Sequence, residues 1–322
     1  AVVGGCLLAG SGPAWAQEVA PAGPPGFPAS ESGAQARFEQ ALLEAIHPDS
    51  VGRWAQTLSA RAHVAGTEAQ VATRDSVIRW HTLAGVQAGY DSLILYMPHP
   101  LHVSVQRTWP DLASFDLAEP ALDSDPATGI APVPVFNAYS GVGTAEGDVV
   151  FAGYGLPADY RTLDSAGISV RGKIVLARYG RSFRGIKARE AEVRGALGLL
   201  LYSDPANDGF VRGPVYPEGP MRPARGVQRG SVLNATGDPS TPDGPSLPGV
   251  PRVAEEQMTG VPRIPVIPVG YEVAEALLGP LGGPVAPESW QGGLEIEYRF
   301  GPGPTRARLE VRTERGLSLI HI

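Results

Sequence analysis

Arg184 is the residue of this chain best placed to do chemistry. It stands in Phe183-Arg184-Gly185, immediately ahead of a stretch with helical spacing. The first turn of a helix already offers free backbone N–H groups and the positive end of the helix dipole. A cation there is locally unfavourable unless it is solvated or faces an anion. With an anion present, the guanidinium fork and the helix amides together suit a carboxylate, which the fork meets through two parallel hydrogen bonds. The residues alone leave two readings open: a solvated loop arginine or a carboxylate clamp.

Other reactive groups are sparse. The histidines are His47, His63, His81, His99, His102 and His321, and none forms an HExxH pair. His99 and His102 are three apart, which in an extended chain puts them on opposite faces, and Pro98 and Pro100 crowd them. His63, in AHVAGTE, reads as a packed or turn histidine. Glu255-Glu256 reads as a solvated pair in a Pro-rich loop. There is no Gly-x-Ser-x-Gly nucleophile elbow and no Walker loop. Asn234-Ala235-Thr236 is a glycosylation sequon, a tripeptide that arises readily by chance.

The elements that must hold Arg184 are legible around it. Ile174 to Ala177 and Leu199 to Tyr202 are short apolar runs, the pattern of strands buried on both faces. Gly180 and Gly185 punctuate the loop between them. Ile186, Val193 and Leu197 recur at helical spacing, and Glu190 precedes Arg194 by four residues. Ser203-Asp204-Pro205 closes the second strand with a turn. Further out, Phe38, Leu42 and Ile46 predict one helix, and Val51, Trp54 and Leu58 a second capped by Asp49. Thr67-x-x-Gln70 predicts a capping box opening a third. Leu101–Val105, Asp148–Gly153, Leu294–Tyr298 and Ala307–Val311 read as strands, and Val273–Leu278 as a short helix. Residues 204–262 are Pro/Gly-rich and weakly periodic.

Composition bounds the answer. The chain has 322 residues, enough for one large domain or two ordinary ones. Gly 41 and Pro 32 approach a quarter of it, which favours a loop-rich, β-containing protein. The net charge of −7 argues against a nucleic-acid footprint. No run of 18 apolar residues predicts a membrane span. The first residues, AVVGGCLLAG, with Ala14-Trp15-Ala16 ahead of Gln17, read as the remnant of an export signal. The single cysteine, Cys6, lies inside it.

Several blocks resemble, in order, the glutamate carboxypeptidase II family, whose members are secreted or membrane-anchored dizinc peptidases. They are AHVAGTE (62–68), GDVVFAGYGLPADYRTLDSAGISVRGKIVLARYG (147–180), the Arg184 segment, GVQRGSVLNATGDPSTPDG (226–244) and RIPVIPVGYEVAEALLGPLGG (263–283). The resemblance runs from about Phe38 to about Glu314. It implies an α/β fold: N-terminal helices of a zinc-peptidase domain, then a protease-associated, or apical, domain with a mixed β-sheet or β-sandwich and flanking helices. The implied plan is a signal remnant at 1–16, a flexible linker at 17–33, peptidase-domain helices at 34–95 and the apical domain at 96–314. Residues 315–322 would begin the return to the peptidase domain. Their GLSLIHI ending reads as foreign to the fold.

The resemblance also implies roles. Arg184 matches the arginine that grips a substrate's C-terminal carboxylate. Ser231 stands where the family has an asparagine contacting a glutamate side chain. Thr241 matches a residue whose main-chain carbonyl binds calcium, and Gly244 replaces a tyrosine serving in the same way. The zinc pair, with its His, Asp and Glu ligands, would lie beyond this chain, so the fragment is expected to supply substrate recognition and to be inactive alone. The function implied is that of an exported zinc carboxypeptidase acting on peptides with a free C-terminus, homodimeric when whole. Two alternatives remain: an aminopeptidase bearing a protease-associated domain, and a non-catalytic binding protein resembling the transferrin receptor.

Overall fold

The computed structural model describes residues 24–129 and 133–321. The signal remnant and the first part of the linker fall outside them. The described chain divides into two units, one ending at Ala60 and one beginning at Arg61.

The first unit holds α1 (Ala29–Ala45) and α2 (Pro48–Ser59). The last residues of the expected linker, from Ala29, are therefore helical. Asp49 is not the cap of α2. Pro48 occupies the first helical position, where its fixed φ and missing N–H cost nothing, and Asp49 sits in the first turn, where a carboxylate suits the dipole.

In the second unit, α3 (Glu68–Leu83) opens on Thr67, whose Oγ1 accepts the Gln70 amide at 3.3 Å; only this half of the expected capping box forms, because the Thr67 amide donates to the Val64 carbonyl at 3.2 Å. Nine strands follow among the described residues: β1 (Ser92–Trp109), β2 (Ala113–Ser114), β3 (Asn137–Ala138), β4 (Gly143–Phe151), β5 (Ile174–Arg178), β6 (Gly198–Tyr202), β7 (Gly230–Ser231), β8 (Val266–Val269) and β9 (Arg306–His321). Between them lie α4 (Pro157–Ser165), α5 (Arg184–Val193), α6 (Pro205–Asp208) and α7 (Tyr271–Leu278). Seven strands form one mixed sheet in the order β2-β1-β9-β4-β5-β6-β8, while β3 and β7 pair separately. The β4-β5-β6-β8 half is parallel, and β1, β9 and β4 run antiparallel. All of β5, β6 and β8 is buried, as their unbroken apolar runs require. The fold is thus the mixed α/β arrangement expected, realised as a sheet rather than a sandwich.

Three local expectations differ. First, α5 does not bury Ile186, Val193 and Leu197: Val193 is 67% and Leu197 40% exposed. Its buried residues are Gly185, Lys187, Ala188, Glu190 and Ala191. Small side chains let the helix lie close to the sheet, a fit that apolar periodicity alone does not register. The Glu190–Arg194 pair does form, at 2.7 Å. Second, Leu294–Tyr298 is not a strand. The Tyr298 hydroxyl accepts the Leu294 amide at 3.1 Å, curling the segment, and donates to Asp204 at 2.7 Å. Third, residues 317–321 continue β9, with Leu317 opposite Tyr96 and His321 opposite Ser92. Ile320 is buried while Leu317 and Leu319 face outward, so the segment alternates as a strand does.

Candidate functional site

Arg184 is the first residue of α5, reached from β5 through Tyr179–Phe183. The glycine after it is obligatory. A Cβ on Gly185 would lie 2.7 Å from the Val232 carbonyl oxygen and 2.9 Å from Asn234 Oδ1. The helix start therefore packs directly on the chain at 232–234, and Asn234 Nδ2 donates to the Gly185 carbonyl at 2.7 Å. The sequon asparagine is thus engaged in holding α5.

This close approach brings Arg184 to β7. Its Nη1 donates to the Ser231 carbonyl at 3.4 Å, a long bond. The guanidinium stands 5.7 Å from the Tyr179 ring centroid and 5.9 Å from that of Phe183, within cation–π range. Arg184 is half-buried, and its Nε is buried with no hydrogen-bond partner among the described residues. No carboxylate pairs with it among those residues. Its neighbours differ: Arg194 pairs with Glu190, Arg222 with Asp208 and Arg229 with Glu119.

Two residues that the sequence reading passed over complete the wall. Asn137, on β3, lies opposite Gly230 in the β3–β7 pair. Its Nδ2 donates to the Gly230 carbonyl at 3.2 Å and to the Tyr179 hydroxyl at 3.4 Å, and its Oδ1 is buried without a partner. The Tyr179 hydroxyl donates to the Gln228 carbonyl at 2.7 Å. Burial pushes the Tyr179 phenol above its ordinary value, although the Asn137 hydrogen bond and the Arg184 charge act the other way. The phenol therefore stays a donor. Neither residue carries a local signal, since their meaning depends on partners roughly forty to ninety positions away.

Of the sequence-predicted residues, Arg184 and Ser231 come together. The Ser231 hydroxyl accepts the Leu233 amide at 3.0 Å. Thr241 and Gly244 form a separate turn, the Gly244 amide donating to the Thr241 carbonyl at 3.3 Å. Thr241 Oγ1 is buried without a partner among the described residues. Calcium takes six to eight oxygens, and no group of three His, Cys, Asp or Glu able to hold a metal occurs among the described residues. The Thr241 turn alone does not fit a calcium cage, and no zinc pair can be assigned to these residues. Glu255 is not simply solvated. It accepts from the Tyr96 hydroxyl at 2.6 Å and pairs with Arg315. His63 bonds the carbonyl of Arg61 in its own turn, at 2.9 Å. No helix among the described residues is long and apolar enough to cross a membrane.

Residues 142–277 match the PA domain family. The glutamate carboxypeptidase 2 homolog of Caenorhabditis briggsae is 33% identical over 278 residues, covering 81% of this chain and 36% of that protein. Aminopeptidase NAALADL1 of Rattus norvegicus is 42% identical over 171 residues, covering 52% of this chain and 23% of that protein. Among solved structures, BSAP, a zinc aminopeptidase from Bacillus subtilis, overlaps with a TM-score of 0.38 and 16% identity, covering 83% of this chain and 44% of its own. The chain spans about a third of the length of the glutamate carboxypeptidase relatives it matches. Through its PA domain and a similarity to glutamate carboxypeptidase relatives that covers about four fifths of its length, the chain belongs to a glutamate carboxypeptidase II-like family.

Proposed function

We propose that this chain is the substrate-recognition part of an exported zinc-dependent exopeptidase, and that Arg184 holds the C-terminal carboxylate of the peptide. The observation that carries the reading is the Arg184 guanidinium itself, half-buried with no carboxylate beside it, one long bond to a carbonyl and an orphaned Nε among the described residues. A guanidinium withdrawn from water without a counter-charge is costly, and a bound carboxylate would supply charge and paired acceptors together. Zinc would polarise the scissile carbonyl and activate water, and on this reading it is held outside the described residues. What this chain contributes is position: a peptide gripped at its C-terminus presents a fixed bond to the metal.

Ser231 bears on specificity. Its carbonyl faces Arg184, and its hydroxyl already accepts from the Leu233 amide. One remaining O–H is a weaker match for an acidic side chain than a carboxamide, so the preference for a C-terminal glutamate is broad rather than strict. A second reading, aminopeptidase activity, is favoured by the 42% identity to aminopeptidase NAALADL1.

The test is a peptide panel with the full-length protein that contains this chain. Free-acid substrates should be cleaved and their C-terminal amides should not. Arg184→Ala should raise KM by roughly tenfold to a hundredfold with kcat little changed. Unchanged kinetics in that variant would remove the assignment. Loss of activity on N-acetylation, with C-terminal amides still cleaved, would establish the aminopeptidase instead.

A further inference from the structure

Lys187 lies on α5 one turn past Arg184 and is fully buried, at 0% exposure. A lysine this deep is unusual. Its Nζ donates to the Tyr154 carbonyl at 2.5 Å and to the Gly180 carbonyl at 2.8 Å. It also stands 5.6 Å from the Tyr154 ring centroid, the same ring on which the Arg181 guanidinium packs at 4.2 Å. One ammonium thus joins the turn after β4 to the loop that delivers Arg184. That loop needs holding. Gly180 has φ +98° and Arg181 φ +61°, two successive residues in the left-handed region, which an arginine rarely enters.

We propose that Lys187 is a positioning residue for Arg184: by tying the Gly180 carbonyl to the Tyr154 turn, it fixes the loop that presents the guanidinium. The role presupposes Arg184 as the carboxylate clamp. The geometry carries a second consequence. Burial pushes the Lys187 ammonium down to about 8; Asp159 on α4 opposes this, and Arg181 on the loop adds to it. These two are the charged groups that face it, with the Tyr154 ring completing its surroundings. Above that pH the neutral amine still has two N–H groups for its two carbonyls, but without charge assistance. The clamp should therefore loosen in mild alkali.

Two experiments test this. In the full-length protein, Lys187→Met should raise KM by roughly tenfold with kcat held, and should add little when Arg184 is already alanine. Arg184→Ala alone decides the clamp: if it leaves KM unchanged, the clamp reading fails, whatever Lys187 does. If Arg184→Ala raises KM and a folded Lys187→Met variant does not, the positioning role fails by itself. Should Lys187→Met not fold, the unsubstituted chain still answers. Backbone amide NMR signals of residues 180–184 should titrate with a midpoint near 8, in step with a rise in KM. A flat response between pH 7 and 10 would overturn the proposal.

Discussion

The guanidinium of Arg184 packs on Gly230, so close that a Cβ on Gly230 would sit 2.7 Å from Arg184 Cζ. Gly230 also has φ +145°, where side chains are strained. Gly230→Ala should therefore cost about 1–3 kcal/mol of stability and push the arginine out of place. Thermal unfolding and KM measured on the same preparation check both effects. A KM equal to that of the unsubstituted protein would mean that the guanidinium's seat does not matter.

The buried pair Arg178–Asp204, 2% and 0% exposed, carries a different load. Asp204 accepts from the Tyr202 and Tyr298 hydroxyls at 3.1 and 2.7 Å and from the amides of Ala206 and Gly293 at 2.9 and 2.8 Å. Asp204→Ala leaves Arg178 buried without its counter-charge and should cost about 3–5 kcal/mol. Asp208→Ala, which breaks the more exposed pair with Arg222, should cost about 1 kcal/mol or less. Urea unfolding of the two variants gives the contrast.

Acid should attack the loop at 238–255 first. Burial would raise the Asp238 carboxyl, but hydrogen bonds from Ser246 and from the amides of Ser240 and Tyr96 outweigh it and hold the group below its ordinary 3.8. Burial is likewise outweighed at Glu255 by the Tyr96 hydrogen bond and the Arg315 charge, keeping that carboxyl below 4.5. A carboxyl depressed on folding stabilises above its unfolded value and loses that contribution as pH falls through the folded one. Stability should thus drop below about pH 4, and Asp238→Asn should flatten the fall. Urea midpoints between pH 2.5 and 6 would show it.

Lys187 should leave a slope of the same sign at the alkaline end. Its folded value, about 8, lies below the ordinary 10.5, so between those values the unfolded chain binds the extra proton. Its contribution to stability then rises with pH across that window. The slope should vanish in Lys187→Met, read from denaturant unfolding at pH 7.5 to 10. An identical slope in the variant would assign it to other groups.

Much of this architecture is legible in local pattern. The runs at 174–177 and 199–202 mark β5 and β6 because a strand covered on both faces has no reason to alternate, and Thr67 announces α3 because its cap is a short-range bond. Arg184 is legible as a cation at a helix start. What surrounds it is not. The face of α5 is set by how closely the helix approaches the sheet, so alanines and a lysine go inside while Val193 stays out. Asn137, Tyr179 and Lys187 gain their roles from carbonyls far along the chain, which no window of sequence contains. The segment 294–298 has the composition of a strand, but side chains take its backbone amides, the Tyr298 hydroxyl that of Leu294 and Gln291 Oε1 that of Tyr298.

The long β1–β9 ribbon sets Ser92 directly opposite His321. The two ends of this stretch thus stand side by side at a single doorway, with the PA domain, residues 142–277, strung between them. A module attached in this way can be enlarged, trimmed or exchanged without shifting the framework on either side. Length and sequence can then vary between the two strands while their pairing stays in register.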